Sequence, residues 1–340
     1  AEAVPGVVAI FENPRWVAAA ASNWWAANRA VEAMKPGFEN GNNTVGTAAS
    51  EAALAGALDS GEGERLFASG DVAEAYAGGA VFRARYSVGP APSAPLEPLT
   101  ATARFSGDRL EVWAPAQAPA LTRSAAARAA GIAEARVTLY PMLIGGGYGR
   151  KLATAAVEQA VMIAGKLKRP VQLVWARIEE TMQDSLRPPA AASLSAALGK
   201  GGRVTGWQAG IAAPPTLGQV ISRLSGEDIG SDAEPAMADG AIPPYTIPSV
   251  AIDLLPADAG LRTGLWRSGA HSYTAFFTEC FVDELARQAG IEPLSFRMQM
   301  LGDNPRLARC LSTAAAQGGW DGGGAGSSMG LAAHSAFGSH

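Results

Sequence analysis

The chain has 340 residues, 48% of them hydrophobic, and a formal net charge of -4 at pH 7. A chain of this length buries roughly three quarters of its unfolded surface, so one to three domains can form without disulfide bonds or structural metal ions. The charge balance excludes the basic surface that nucleic acids require. Cys280 and Cys310 are the only cysteines, which are too few for a disulfide framework or a four-thiolate iron–sulfur site. No uncharged apolar run reaches the roughly 18 residues that span a bilayer.

The N-terminal part of the chain predicts short strands and helices. Residues 7–21 are strand-like, and Asn23 is a suitable cap for a helix that carries Trp24 and Trp25, which we expect in the core. A second helix is expected over residues 48–58. Further strands are expected over residues 81–86, 100–105 and 110–113. We place a domain boundary near residue 70.

A glycine-rich turn between a strand and a helix is the most informative stretch. A buried strand is expected over residues 136–140, a helix over residues 153–167 and a second strand over residues 171–175, which gives a unit of α/β character. The turn contains Gly145, Gly146, Gly147, Gly149, Arg150 and Lys151. Glycine lets the backbone approach a ligand closely, and free N–H groups at a helix start attract anions. We therefore expect the turn to hold a large anionic ligand.

The spacing of this turn excludes two common nucleotide sites. A dinucleotide fingerprint requires glycine at the position of Arg150, and a P-loop requires Ser or Thr at the position of Leu152. The expected ligand is therefore neither NAD nor ATP.

The C-terminal half predicts a hairpin, a connector and helices. Residues 193–212 alternate like a hairpin, whereas residues 213–250 lack periodicity and are expected to form an extended connector. A long helix is expected to be capped by Ser272 and to end at Gly290. Residues 329–340 are expected to begin another strand.

Five segments in order along the chain carry a family pattern. They are Ala94-Pro-Leu-Glu-Pro-Leu-Thr-Ala-Thr-Ala103, Glu111-Val-Trp-Ala-Pro-Ala-Gln-Ala-Pro119, Gly145-Gly-Gly-Tyr-Gly-Arg-Lys151, Leu261-Arg-Thr-Gly-Leu-Trp-Arg-Ser-Gly-Ala-His271 and Phe281-Val-Asp-Glu-Leu-Ala-Arg-Gln-Ala-Gly290. With these segments the chain resembles the large molybdenum-binding subunit of the xanthine oxidase family. The resemblance is to the branch of isoquinoline 1-oxidoreductase and the membrane-associated aldehyde dehydrogenases. It is dense from residue 94 onward and thin before residue 70.

The resemblance implies an α+β fold in two parts. A small hammerhead-like α/β domain, incomplete at its N-terminus, is expected over residues 1–70. The first molybdopterin-binding domain is expected over residues 71–340, ending at the junction with a missing second domain. The family's general base, a glutamate in a Gly-Glu-Pro segment of that second domain, has no match in this chain. We therefore expect a fragment, or one piece of a split subunit, that is inactive alone.

The function implied by the resemblance is hydroxylation of an N-heteroaromatic compound of isoquinoline type, with water as the oxygen source. Two alternatives stay open: a molybdenum-dependent aldehyde dehydrogenase subunit, and a non-catalytic cofactor-scaffold or assembly module. The implied cofactor is molybdenum with molybdopterin in its cytosine dinucleotide form. The implied partners are a small [2Fe-2S] subunit and the C-terminal half of the large subunit. The location stays open, and the resemblance favours a periplasmic or membrane-associated one over a cytoplasmic one.

The resemblance also assigns site residues. The implied catalytic residues are Gln117, which matches a glutamine that hydrogen-bonds an oxo ligand of molybdenum, and Arg267, which matches an arginine that faces the substrate in xanthine-oxidising relatives. The implied cofactor-binding residues are Gln117, Gly145, Gly146, Gly147, Tyr148, Gly149, Arg150 and Arg297. For Arg267, a cofactor contact or a structural ion pair stays open, and Arg297 is alternatively a solvated helix arginine.

Leu152 bears on the substrate. In this resemblance it occupies the position of a glutamate that orients purines in xanthine-oxidising enzymes. An apolar residue there favours an aromatic heterocycle or an aldehyde, because an unpaired carboxylate would penalise such substrates.

The three histidines predict no metal site. His271, His334 and His340 are the only histidines, and none has a partner at metal-ligand spacing. We expect them to be structural residues.

Overall fold

The structure is a computed structural model that describes residues 1–39, 45–225 and 234–340. Its strands are β1 Val7–Asn13, β2 Trp16–Ala21, β3 Glu64–Ser69, β4 Ala80–Val88, β5 Thr100–Ser106, β6 Arg109–Ala114, β7 Val137–Pro141, β8 Val171–Val174, β9 Ala190–Leu198, β10 Val204–Ala213 and β11 Ser249–Pro256. Its helices are α1 Trp24–Met34, α2 Thr47–Ser60, α3 Val72–Ala77, α4 Pro119–Ala130, α5 Ala155–Leu167, α6 Arg177–Met182, α7 Thr216–Ser225, α8 His271–Ala289, α9 Pro293–Gln299 and α10 Pro305–Gly318. The predicted mixture of helices and sheets is confirmed.

The chain forms two compact units, and each unit is built from two separate stretches. The first unit comprises Ala1–Thr44 and Pro92–Ser185, and the second comprises Val45–Ala91 and Leu186–His340. These units do not follow a single boundary near residue 70. The division into domains over residues 1–70 and 71–340 stays a prediction.

The first unit contains a four-stranded sheet in the order β7-β6-β5-β8. Strand β6 runs parallel to β7, whereas β5 is antiparallel to both β6 and β8. Helices α4 and α5 supply apolar side chains to the core of this sheet, which is centred on Ala103, Leu110 and Ala160. Because β6 and β7 are parallel, their carboxyl ends lie at the same edge of the sheet.

The expectation of a buried strand before the glycine-rich turn is wrong. Within β7 only Val137 is buried, and Tyr140 is 40% exposed. The reason is that β7 is the edge strand of its sheet, so the strand has a neighbour on one side only. The glycine-rich turn therefore leaves the sheet at an exposed edge.

An N-terminal hairpin of β1 and β2 precedes α1 in the same unit. The Asn23 side chain accepts a hydrogen bond from the Ala26 N–H at 2.9 Å, which confirms the predicted cap. The expectation that the tryptophan pair lies in the core is wrong, because Trp24 is 50% exposed and Trp25 is 65% exposed. Helix α1 instead buries Ala26 and Ala30, which lie one turn apart on its inner face.

The second unit contains a five-stranded sheet in the order β3-β11-β10-β9-β4, in which only β10 and β11 are parallel. Strands β9 and β10 form the predicted hairpin. Strand β9 is buried on both faces, since Ala192 and Leu194 pack in the cluster that includes residues of α8. On the other face Ala191 packs with Leu54 of α2.

Helix α8 packs three large side chains, Phe277, Phe281 and Leu285, against this sheet. It ends at Gly290, which has a φ of 66°, as predicted. The prediction that Ser272 caps the helix is wrong. Helix α8 begins at His271 after Ala270, so Ser272 lies inside the first turn and makes no capping bond.

Two C-terminal expectations are also wrong. The segment predicted to be an extended connector contains α7, whose first turn is capped by the Glu234 carboxylate through the N–H groups of Leu217 and Gly218. That cap comes from a distant residue, so local sequence does not reveal it. Residues 226–233 of the same segment lie outside the described residues. Residues 329–340 form no strand, because their only pairing is a tight turn that links Ala336 and Ser339.

Candidate functional site

The candidate site lies at the carboxyl ends of β6 and β7 in the first unit. Gln117 follows β6, and the glycine-rich loop that starts at Met142 follows β7. The Met142 N–H donates to the Ala114 carbonyl at 3.0 Å, and this hydrogen bond links the carboxyl ends of the two strands. In open α/β sheets, ligands bind outside the carboxyl ends of parallel strands. The fold thus places Gln117 and the loop where a ligand site is expected.

The Gln117 side chain is fixed by the loop. Its Oε1 accepts hydrogen bonds from the backbone N–H groups of Gly149 at 3.2 Å and Lys151 at 3.0 Å. Because both partners are donors, the amide oxygen must face the loop and the amide NH2 group must face away from it. Gln117 is exposed, and no described residue accepts a hydrogen bond from its Nε2. The site therefore presents a neutral donor with a fixed direction.

Two glycines of the loop are required by close packing. A Cβ on Gly147 would lie 2.6 Å from Gln117 Oε1, and a Cβ on Gly145 would lie 2.6 Å from Glu97 Cβ. Glu97 also forms two hydrogen bonds with Gly145. The Glu97 N–H donates to the Gly145 carbonyl at 2.9 Å, and Glu97 Oε2 accepts from the Gly145 N–H at 3.1 Å. A side chain at either glycine would displace the loop or the Glu97 or Gln117 side chain that supports it.

Three consecutive backbone N–H groups of the loop have no hydrogen-bond partner among the described residues. They belong to Gly146, Gly147 and Tyr148. Gly146 has a φ of 91° and Tyr148 a φ of 55°, so the backbone curls in the left-handed region here. Successive free N–H groups in such a curl form a concave site for oxygen anions. The chemistry of these donors, together with the Gln117 amide, fits an oxygen-rich anionic cofactor.

Arg150 has its side chain inside the first unit. Its Nε lies 2.6 Å from Glu180 Oε1 and 3.3 Å from Asp184 Oδ1, and its guanidinium lies 5.5 Å from the Trp175 ring centroid. The side chain is 2% exposed. This placement supports an anchoring role for Arg150, and a contact with a cofactor stays a prediction.

Lys151 is buried beside Arg150. Its Nζ donates to the carbonyls of Glu97 and Pro98, both at 2.8 Å, and lies 3.4 Å from Glu97 Oε2. Burial lowers the pKa of Lys151, although the nearby Glu97 carboxylate opposes that shift. The ammonium group holds the 97–98 segment against the turn.

The carboxylates around the two cations neutralise them. Burial raises the pKa of Asp184, while the Ser93 N–H and the Arg150 guanidinium act in the opposite direction. The Glu180 carboxylate accepts hydrogen bonds from the Leu99 N–H and from Arg150 Nε, so it links the segment before β5 to the glycine-rich loop. With Glu97, Glu180 and Asp184 facing them, the cations fix the loop, and its free N–H groups are left to attract an anion.

Sequence reasoning missed Glu97, Glu180 and Asp184 as parts of this support. One signal was available for two of them. Glu180 and Asp184 stand four residues apart, a spacing that places two side chains on the same side of a helical turn. Two acidic side chains on one side of a turn indicate a nearby cationic partner if they are buried, because carboxylates are seldom buried unless they are paired.

Arg267 lies in the second unit, in the turn before α8. It is exposed, and its guanidinium has no partner among the described residues. The backbone beside it is left-handed at Ser268, with a φ of 72°, and at Gly269, with a φ of 56°. Its contact with a substrate stays a prediction.

Arg297 is fully buried in the second unit. Its Nε donates to Glu279 Oε2 at 2.9 Å, and its Nη1 donates to Asp283 Oδ1 at 2.7 Å. Burial alone would lower the pKa of Arg297, but the neighbouring Glu279, Tyr245 and Asp283 raise it. This placement supports a structural role that ties α9 to α8, and a pterin contact stays a prediction.

The histidines have protein partners. His271 Nδ1 lies 2.8 Å from His334 Nε2, and His340 Nδ1 lies 2.9 Å from the Ser335 hydroxyl. In the part of the chain that the structure describes, no group of three or more His, Cys, Asp or Glu side chains is arranged to hold a metal ion. Across the same residues, no helix has the length and apolar character needed to cross a membrane.

Comparison with known proteins shows similar sequences in two curated relatives. The chain is 28% identical to isoquinoline 1-oxidoreductase subunit beta of Brevundimonas diminuta over 246 residues, which are 70% of this chain and 31% of that protein. It is 26% identical to the membrane-bound aldehyde dehydrogenase [pyrroloquinoline-quinone] of Gluconacetobacter polyoxogenes over 307 residues, which are 84% of this chain and 38% of that protein. The chain thus spans about a third of the length of these relatives.

A solved structure shares the fold. Quinoline 2-oxidoreductase from Pseudomonas putida 86 matches with a TM-score of 0.67 and 18% identity, over 94% of this chain and 48% of that chain. The sequence profile of the family described as molybdopterin cofactor-binding domain matches residues 59–301, which is more than half of the chain. The chain therefore belongs to the molybdopterin cofactor-binding domain family, within the molybdenum hydroxylases of the xanthine oxidase type.

Proposed function

We propose that this chain forms part of the molybdenum-cofactor site in the large subunit of a hydroxylase that acts on N-heteroaromatic compounds. One observation carries the proposal: the Gln117 amide NH2 and the free N–H groups of Gly146, Gly147 and Tyr148 are hydrogen-bond donors on the same loop structure. When bound, a molybdenum–pterin cofactor supplies the redox chemistry that transfers oxygen from water to an electrophilic carbon.

The residues of the chain bind and orient that cofactor in this proposal. The loop N–H groups would donate to its anionic oxygen atoms, and the Gln117 NH2 would donate to an oxygen acceptor of the same cofactor. A neutral amide suits this task because it donates without transferring its proton. The buried contacts of Arg150 and Lys151 keep the donors in place, so little reorganisation of the loop would be needed to bind the cofactor.

Two features of the first unit favour a flat, apolar substrate. Leu152 stands beside the loop, and its backbone N–H is held by the Gly149 carbonyl at 3.2 Å. Leu143, which is 95% exposed, and Ile144, which is 40% exposed, lead into the glycines. The relative named isoquinoline 1-oxidoreductase supports this class of substrate. The same proposal includes the cytosine dinucleotide form of the cofactor and contact between Arg267 and the substrate. It also includes two partners, a small [2Fe-2S] subunit and the C-terminal half of the large subunit.

An aldehyde dehydrogenase is the second candidate. It is favoured by the relative named membrane-bound aldehyde dehydrogenase, whose similarity extends over 84% of this chain. A non-catalytic cofactor scaffold or assembly module is the third candidate.

To test the proposal, the full-length large subunit is purified with its small partner, and its molybdenum content, its nucleotide and its dye-reducing activity are measured. We expect about one molybdenum per large subunit, cytidine monophosphate after acid hydrolysis, and dye reduction with isoquinoline that exceeds reduction with an aromatic aldehyde. Faster turnover of the aldehyde would favour the second candidate, and molybdenum-free protein would favour a scaffold. The 340-residue chain alone is expected to hold no molybdenum and to turn over neither compound.

A further inference from the structure

Tyr148 occupies a strained place in the glycine loop. Its φ of 55° lies in the left-handed region, which non-glycine residues rarely adopt, and it stands between Gly147 and Gly149. The loop holds it there from both sides. The Arg150 N–H donates to the Gly147 carbonyl at 2.8 Å, and the Gly149 N–H donates to Gln117 Oε1 at 3.2 Å. Strain that is held in this way clusters at ligand sites.

The ring of Tyr148 lies beside Gly146, whose backbone N–H is one of the free donors of the loop. Its Cε2 lies 3.4 Å from the position that a Cβ would take on Gly146. Tyr148 is 44% exposed, and its hydroxyl has no hydrogen-bond partner among the described residues. The phenol is therefore available at the rim of the proposed cofactor site.

Tyr140 in the same unit shows the contrasting arrangement. It is 40% exposed, but its hydroxyl donates to Glu111 Oε1 at 3.3 Å, and its ring stacks on Trp113 with centroids 5.1 Å apart. Two tyrosines of similar exposure thus differ in whether the hydroxyl is satisfied. Only the hydroxyl of Tyr148 is left to meet a ligand.

The surroundings of the Tyr148 phenol define the ligand it suits. Leu96 is 90% exposed, and its backbone N lies 3.5 Å from a Cβ position on Gly146. Leu143 and Ile144 are exposed in the loop itself. Small-molecule sites combine mostly apolar surface with a few directed polar groups. An apolar ring with one hydrogen-bond acceptor matches this combination.

We propose that the Tyr148 hydroxyl donates a hydrogen bond to the ring nitrogen of an N-heteroaromatic substrate and so determines specificity. The inference rests on the proposed function. A hydrogen bond to the nitrogen draws electron density from the ring, which makes the adjacent carbon more electrophilic.

The experiment uses the full-length holoenzyme with its partner subunit, as wild type, Tyr148→Phe and the matched control Tyr140→Phe. The two substrates are isoquinoline and the N-methylisoquinolinium cation. The carbon next to nitrogen in the cation is already electrophilic because the ring is charged, and its methylated nitrogen cannot accept a hydrogen bond. We expect Tyr148→Phe to lower kcat/KM for isoquinoline roughly 2- to 13-fold, the range for one lost hydrogen bond, and to leave kcat/KM for the cation unchanged. Tyr140→Phe is expected to change neither value.

Molybdenum content is matched across the variants, so a loading defect is measured separately. An equal loss on both substrates would overturn the inference by assigning the phenol to the cofactor, and unchanged kcat/KM for isoquinoline would overturn it by removing the contact. Wild-type enzyme that carries molybdenum but oxidises neither compound would overturn the proposed function together with the inference. An active wild type with unchanged ratios would overturn the inference alone.

Discussion

Gly147 packs against the side-chain oxygen of Gln117, because a Cβ on Gly147 would lie 2.6 Å from Gln117 Oε1. The same oxygen accepts the N–H groups of Gly149 and Lys151. The orientation of the Gln117 amide and the path of the loop are therefore one structural feature. Whatever moves the loop also turns the NH2 group that the site presents.

Gly147→Ala should disrupt this feature. The added methyl group forces the loop or the Gln117 side chain to move, and overpacking of this kind costs about 1–3 kcal/mol. We expect the full-length enzyme to lose most of its molybdenum while its melting temperature falls by only a few degrees. Gly37→Ala is the control, since a Cβ there meets nothing within 4 Å and the backbone is not left-handed. Equal molybdenum content in both variants would contradict the proposed packing.

Gln117→Glu should separate the two roles of the amide. A carboxylate keeps an oxygen for the Gly149 and Lys151 N–H groups but removes the donor that faces the ligand. We expect the loop to stay folded and kcat to fall by ~10²–10³, the range for one lost preorganised donor. Gln117→Ala should lose the loop support as well, and with it cofactor occupancy. Wild-type turnover of Gln117→Glu at matched molybdenum content would assign Gln117 to a structural role only.

Arg150→Met should destabilise the first unit strongly. The substitution leaves the buried Glu180 and Asp184 carboxylates without their cation, and breaking a buried pair costs about 3–5 kcal/mol. The matched control is Arg123→Met, which removes an exposed pair with Glu134 and should change the denaturation midpoint little. Urea denaturation followed by tryptophan fluorescence measures both. Similar midpoints for the two variants would show that the buried pair is not a main support.

Local patterns predicted much of the fold. The Asn23 cap, the β9–β10 hairpin and the Gly290 end of α8 each depend on residues within a few positions of the feature, so the sequence reveals them. The start of α7 depends on Glu234, which lies sixteen or more positions away from the N–H groups that it caps. Such distant partners are the reason that α7 was expected as a connector.

The candidate site was predictable in its glycines but not in its charges. The sequence shows that Gly145 and Gly147 leave space, and the structure shows Glu97 and Gln117 filling it. The sequence also shows that Arg150 and Lys151 stand beside the loop, and the simplest prediction from two such cations is that they bind an anionic ligand. Their side chains are instead neutralised from α6 and from the 93–99 stretch, which lie far from Arg150 and Lys151 in sequence.

The paired histidines predict a pH dependence of stability. Burial, and then His271, lower the pKa of His334 below its ordinary value of 6.5. A lowered folded-state pKa means that the unfolded chain binds more protons, so stability is full above that ordinary value and falls as the pH drops through it toward the folded-state pKa.

This dependence can be measured by urea denaturation at about pH 7.5 and about pH 5.5, on either side of the ordinary histidine pKa. His334→Gln should reduce the difference between the two midpoints. His340→Gln should keep the difference, since His340 is exposed and contacts Ser335 instead. An unchanged difference in His334→Gln would show that other groups cause the pH dependence.

Leu152→Glu tests the choice of substrate class. An apolar carbon beside the glycine loop suits a flat, uncharged ring, whereas a carboxylate there would hydrogen-bond purine N–H groups and would face isoquinoline without a partner. In the full-length enzyme we expect kcat/KM for isoquinoline to fall by an amount equivalent to about 1–3 kcal/mol, the cost of an unpaired polar group, while hypoxanthine loses less. An aromatic aldehyde should fall with isoquinoline. Leu121→Glu is the control, because Leu121 is a 42% exposed leucine on α4 and carries the same change of charge. If the ratios among the three substrates are the same in both variants, Leu152 does not line the substrate site, and the preference for heterocycles and aldehydes over purines loses its support.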